Sequence, residues 1–489
     1  MKRINPRRLV SLSLVLAVTT ASLPLGAAEA ADASIAWSPC AQDATAECGT
    51  LTVPVDWDDR DGPTIELALA RRKATEPAAR IGSLVINPGG PGVSGVDYAL
   101  AATNYLSPEL TRRFDIVGFD PRGVGRSHPV VCSSALLREM PGPVMKSQAD
   151  LDARLAYNRR LRQDCRNRTG PLFDHVSTLS VVRDVDALRA ALGDDRLTYY
   201  GVSYGTLIGQ QYAERYPRRV RAVALDSNFD HSLGTAAYLE TAAAGAQRAF
   251  EQFTAWCART ASCALHGTDV PAFWARLLAR AERGELHQPG QPDTPLTAYD
   301  LIDYAFATFY GPNWAELAQW LVAVDRRDEQ PSAAASPETD HSQDVRPFPR
   351  QVFCSDFHLP VRDHREYAAL LRRQAAVATD MRYSPAALHA VAACLGRPAP
   401  VPNPQHRLQV DGTPPILLAN ALYDPTTGHR WAAGVAAQIG AEARLLTYEG
   451  WGHGTYGRSD CLTDAVDRYL VSLTPPAKDA RCAAVPPPG

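Results

Sequence analysis

A serine between two glycines, at Gly201-Val202-Ser203-Tyr204-Gly205, is the feature of this chain best suited to chemistry. The residues before it, Leu197 to Tyr200, are β-prone, and Thr206 to Tyr216 reads as a helix. A turn that sharp between strand and helix forces the serine into a strained backbone and exposes its hydroxyl above the sheet edge. The flanking glycines are needed because a Cβ there would clash with the neighbouring strand and helix. Ser203 is therefore expected to be a nucleophile. A serine hydroxyl is a weak one until an imidazole takes its proton and a carboxylate orients that imidazole.

On such an elbow the partners follow in the order serine, acid, histidine, each in a loop after a later strand. The β-prone run Ile416 to Ala419 leads to Asp424, within Tyr423-Asp424-Pro425-Thr426-Thr427. A second, Arg444 to Tyr448, leads to His453, within Gly450-Trp451-Gly452-His453-Gly454. Of the 12 histidines only His429 also lies beyond Asp424, at a helix start that suits a surface residue. Asp411 precedes its strand and Asp460 follows the histidine, so Asp424 is the expected acid. The developing oxyanion needs donors. Asn87-Pro88-Gly89-Gly90-Pro91-Gly92 follows the strand Gly82 to Asn87, and the backbone N–H groups of Gly90 and Tyr204 are the expected pair. A phosphate-binding loop is disfavoured because no lysine with Ser or Thr follows these glycines. Asp120-Pro121-Arg122-Gly123 through Ser127 reads as scaffold, with Arg122 pairing carboxylates or carbonyls beneath the site.

The elements that must hold these residues alternate. Ile65 to Ala70, Gly82 to Asn87 and Phe114 to Phe119 read as strands, Leu179 to Leu192 as a helix, and Val220 to Leu225 as a further strand. This alternation predicts an α/β fold, a mostly parallel sheet with helices on both faces. It breaks after Asp226. From Phe229 to His406 the pattern is helical, with segments at 234–259, 270–285, 298–324 and 364–378 and a polar, mobile loop expected at 328–350. The expected organisation is a signal peptide over 1–30, the first part of the α/β core over 31–228, a helical insertion over 229–406 and the rest of the core over 407–489.

Composition narrows the setting. The 489-residue chain is 45% hydrophobic and 21% charged, with a formal net charge of −3 that disfavours nucleic acid as a partner. The first residues combine a basic head (Lys2, Arg3, Arg7, Arg8), an apolar run from Leu9 to Val18 and an Ala28-Glu29-Ala30 cleavage pattern, which predicts export. Arg7-Arg8 leaves twin-arginine export open, and no other stretch is long and apolar enough to span a membrane. The ten cysteines include no Cys-x-x-Cys pair, so zinc ribbons are disfavoured and disulfides are the default for an exported chain. Pairing neighbours in order gives Cys40–Cys48, Cys132–Cys165, Cys257–Cys263, Cys354–Cys394 and Cys461–Cys482. Spacing alone leaves that connectivity open.

Taken together, Asn87 to Gly92, Phe119 to Ser127, Gly201 to Thr206, Tyr423 to Thr427 and Gly452 to Gly454 resemble the secreted bacterial tripeptidyl aminopeptidases. These are α/β-hydrolase serine exopeptidases related to the prolyl iminopeptidases, and the resemblance runs from about Ile35 to Cys482. It implies release of short peptides, often tripeptides, from free amino termini, without metal or organic cofactor. It also implies a helical cap carrying a carboxylate for the substrate ammonium. Asp356 matches a cap position often acidic in the group and is the candidate. The stretch Ser227-Asn228-Phe229-Asp230-His231 departs from the group's usual continuation, which bears on substrate selection. An esterase, a lipase or an endopeptidase with the same triad is the alternative reading, and a non-catalytic binding protein on the same fold is a third.

Overall fold

Alternate residues of the central strands are buried in opposite directions. Val85, Val117, Phe119, Tyr199, Val223, Leu225 and Leu418 join one hydrophobic cluster. Leu84, Ile86, Ile116, Tyr200, Ala222, Ala224 and Leu417 join another on the opposite face. Period-two burial on both faces is what a sheet covered by helices on each side requires. The computed structural model describes residues 35–326 and 344–487. The expected signal peptide and most of the polar stretch 328–350 lie outside them. The end of that stretch, Val345–Pro347, pairs with Val131–Ser133 as a short antiparallel ribbon.

The main strands are β1 (Glu47–Pro54), β2 (Thr64–Arg72), β3 (Gly82–Asn87), β4 (Phe114–Phe119), β5 (Leu197–Val202), β6 (Val220–Asp226), β7 (Ile416–Tyr423) and β8 (Ala443–Trp451). They lie in the order β1-β2-β4-β3-β5-β6-β7-β8, with two-residue strands at each edge. Pairing from β4 through β8 is parallel, while β1 and β2 add an antiparallel edge. The fold is that of an α/β hydrolase, as expected. The helix Gly95–Leu100 and the terminal helix Asp460–Ser472 cover one face; Thr178–Ala191, Gly205–Arg215 and His429–Ile439 cover the other.

β6 and β7 are neighbours in the sheet, with Leu417 opposite Ala224, yet the residues between them build a set of helices. The helices needed below are α1 (Ala298–Thr308), α2 (Arg350–Asp356) and α3 (Pro385–Cys394). The expected helical segment 298–324 is two helices, α1 and Trp314–Arg326, interrupted at Gly311-Pro312. Proline there cannot donate the amide that a continuous helix needs. The interruption has a use, because it turns Tyr310 toward the sheet. All ten cysteines form disulfides in the sequential pairing. Among the described residues no helix is long and apolar enough to cross a membrane.

Candidate active site

Ser203 lies in the turn between β5 and the helix Gly205–Arg215, with φ +57 in the left-handed region. A non-glycine residue is held there only when its surroundings over-determine it. Its N–H donates to the Asp226 carbonyl at 2.9 Å, and its own carbonyl accepts from the Thr206 hydroxyl at 2.6 Å. The glycines are sterically required. A Cβ on Gly201 would lie 2.6 Å from the Gly205 carbonyl oxygen, and one on Gly205 2.6 Å from that of Asn87.

The structure brings together the three residues read from sequence. His453 Nδ1 lies 2.9 Å and 3.1 Å from the two carboxylate oxygens of Asp424. Ser203 and His453 line one cavity of about 800 Å³. Asp424 is buried and held by the Thr426 and Thr427 N–H groups at 2.8 and 2.9 Å and by the Thr427 hydroxyl at 3.0 Å. The rival His429 instead has Nε2 at 2.8 Å from the Thr447 hydroxyl and does not line that cavity. Gly90 does line it. The adjacent Gly89, with φ +85, packs so closely on the elbow that a Cβ would lie 2.7 Å from the Tyr204 nitrogen. Gly90 thus shares the cavity with Ser203, and the Tyr204 N–H stands at a helix N-terminus that favours negative charge.

The loop that carries His453 is fastened from two sides. The His453 N–H donates to the Tyr310 carbonyl at 2.9 Å, and the Tyr310 ring stands edge-on to the imidazole at 5.2 Å between centroids. From beneath, the buried Asp226 carboxylate accepts from Thr455 N–H at 2.8 Å, from Tyr456 N–H at 2.9 Å and from the Tyr200 hydroxyl at 3.0 Å. Sequence reasoning passed over Asp226. Its signal was available: an aspartate at the carboxyl end of the strand next to the elbow. The neighbouring Ser227 and Asn228 join β6 to β7 and the histidine loop, Ser227 Oγ accepting from Gly454 N–H at 2.8 Å.

Burial on its own would push the His453 imidazole down, but the Asp424 charge and hydrogen bond, helped by Asp226, outweigh it, and the net direction is up from 6.5. A general base must be neutral, so activity is lost as pH falls through that raised value. The acid limb of kcat/KM is therefore expected above pH 6.5, and Asp424→Asn should move it downward while reducing kcat. A native limb centred at pH 6 or below would contradict the pairing.

Asp356 is not where the sequence reading put it. Its carboxylate is completely buried away from the cavity and accepts from Thr178 N–H (2.7 Å), the Thr178 hydroxyl (2.6 Å), the Tyr204 hydroxyl (2.5 Å) and Asn403 Nδ2 (2.9 Å). Burial pushes it up to about 6, against these four donors. Four donors leave no place for a substrate ammonium. On α2 it is Arg350 and Phe353 that line the cavity. Asp356, six residues past Arg350, is turned about 120° from it at 3.6 residues per turn. The carboxylate that does reach the cavity is Asp303 of α1, alone in that respect among the described residues. Burial and the nearby Asp300 raise its pKa, with Arg350 opposing.

Residues 82–304 match the α/β hydrolase fold family and residues 379–482 match the family of TAP-like proteins. Serine protease Hip1 of Mycobacterium tuberculosis (strain ATCC 25618 / H37Rv) is 33% identical over 484 residues, covering 92% of this chain and 91% of that protein. The chain belongs to the TAP-like family of α/β hydrolases. It is a serine hydrolase. Tripeptidyl aminopeptidase of Streptomyces lividans is 29% identical over 494 residues, covering 94% of this chain and 88% of that protein. Carboxylesterase B of Mycobacterium tuberculosis is 32% identical over 461 residues, with 90% and 86% covered.

Proposed function

We propose that this TAP-like hydrolase removes tripeptides from free amino termini through an acyl-enzyme on Ser203. His453 Nε2 takes the hydroxyl proton as Ser203 Oγ attacks the scissile carbonyl, while Asp424 holds Nδ1–H and stabilises the imidazolium. The N–H groups of Gly90 and Tyr204 receive the oxyanion. His453 then gives its proton to the departing amine, and water releases the peptide by the same steps. The chain would act after export, a setting that suits its five disulfides.

One observation carries the length of the product. Tyr299, Asp303 and Phe306 share one face of α1 at i, i+4 and i+7 and all line the cavity, with Tyr310 just beyond against His453. Five residues of helix at 1.5 Å each carry Asp303 about 7.5 Å from the end of α1 at Thr308, and Tyr310 stands two residues further on. An extended peptide advances about 3.3 Å per residue, so two to three residues of substrate with the ammonium at Asp303 would reach the level of His453, which supports a tripeptide product. Asp303 thus takes the role expected of Asp356.

Acetylating the amine of a tripeptide chromogenic amide removes the charge and leaves Asp303 without its partner. The expected loss in kcat/KM is about 30-fold to several thousand-fold, and Asp303→Asn should shrink that ratio. Equal rates on free and acetylated substrates would move the reading to an endopeptidase or esterase. The apolar lining by Phe229, Phe306 and Phe353 favours the esterase as the second reading, so short and long acyl esters belong in the same comparison.

A further inference from the structure

Arg350 faces the same cavity as Asp303, yet no ion pair joins them. Among the described residues Arg350 makes neither a hydrogen bond nor an ion pair, although burial weighs against its charge with only Tyr299 and Asp303 opposing. Its surroundings are more basic than acidic. His389 of α3 lines the cavity beside it, and the His389 Nε2 is buried without a partner. Behind them lies Arg154, in the helix Gln148–Thr169. Its Nη2 donates to the Pro141 and Gly142 carbonyls, while its Nε and Nη1 are buried with no partner. The Arg350 charge opposes that of Arg154, and burial together with the two guanidiniums pushes His389 down to about 3, so it is neutral. A half-buried guanidinium that faces a cavity without a counter-ion is incompletely satisfied, and a planar carboxylate is the group that its fork satisfies best.

We propose that Arg350, with His389 beside it, is a carboxylate subsite that selects an acidic side chain on the first residue of the substrate peptide. The inference rests on the aminopeptidase reading, in which Asp303 holds the ammonium of that first residue. A glutamate there carries both charges on one residue. Its ammonium would face Asp303 and its side chain would bridge to Arg350, filling the gap that keeps the two protein charges apart.

The test compares amides of Glu-Ala-Ala, Gln-Ala-Ala and Ala-Ala-Glu with free amines, by turnover and by how strongly each slows fluorophosphonate labelling of Ser203. In the native enzyme Glu-Ala-Ala should exceed Gln-Ala-Ala about tenfold or more in kcat/KM and in protection. The Glu/Gln ratio should fall to near one in Arg350→Gln and be partly kept in Arg350→Lys. Because each ratio is read within one variant, a general loss of activity does not affect it. Cleavage of all three amides without Glu/Gln discrimination, or a ratio unchanged by Arg350→Gln, would overturn the subsite. A preference confined to Ala-Ala-Glu would overturn its assignment to the first residue. Selective protection by Glu-Ala-Ala without cleavage of any amide would keep the subsite and remove the aminopeptidase reading.

Discussion

Ser203→Ala should lower kcat on any substrate by about 10⁴- to 10⁶-fold and abolish covalent labelling by a fluorophosphonate. The size follows from the geometry. The elbow holds the serine at φ +57, with its N–H tied to Asp226 in the neighbouring strand, so its position does not depend on its side chain. Alanine removes only the nucleophile, and far-ultraviolet circular dichroism and thermal unfolding should stay close to native. His453→Ala should fall into the same range, and the double variant should be little worse than either single one, because the members of a triad act as a unit. His429→Ala should leave catalysis nearly intact, since its ring is spent on Thr447. Loss of activity in His429→Ala with survival in His453→Ala would reverse the assignment.

Asp184→Ala should destabilise the disulfide-intact protein by about 3–5 kcal/mol, read as a shift of the denaturant midpoint. Arg122 and Asp184 are both inaccessible to solvent and meet through two bonds, Nε at 2.7 Å and Nη2 at 2.5 Å. The remaining guanidinium donors go to the carbonyls of Val55, His175 and Pro54, and Trp57 Nε1 also donates to Asp184. Deleting the carboxylate leaves a cation buried among carbonyls, which cannot neutralise it. An apolar double variant, Arg122→Met with Asp184→Leu, removes the desolvation of both charges but leaves the Val55, His175 and Pro54 carbonyls and the Trp57 N–H without these partners, so it should recover only part of the loss. A loss below about 1 kcal/mol in Asp184→Ala would show that water reaches the guanidinium.

Ser203, Asp424 and His453 were legible because each demand on them is local. A nucleophile elbow needs glycines at fixed offsets, and each partner needs a strand and a loop in a set order. The strands Gly82–Asn87 and Phe114–Phe119 follow in the same way from runs of apolar residues ended by turn formers. The role of Arg122 was legible in outline, its partner Asp184 was not. Which carboxylate a buried guanidinium meets depends on how β1 and the helix Thr178–Ala191 pack over the loop after β4.

The helical insertion between β6 and β7 shows the limit more sharply. Helical periodicity marks its segments, but not the rotation of each helix about its own axis once packed. Asp356 and Asp303 are both aspartates in helices of that insertion, and nothing local separates them. Tertiary packing turns the first onto Thr178, Tyr204 and Asn403 and leaves the second facing the cavity. Sequence alone therefore determined the fold class and picked out Ser203, Asp424 and His453, which the structure joins by one cavity and one hydrogen-bonded pair, because strand period and turn sterics act over a few residues. Only the tertiary structure decided which charges face the substrate, because that depends on contacts between helices far apart in the chain.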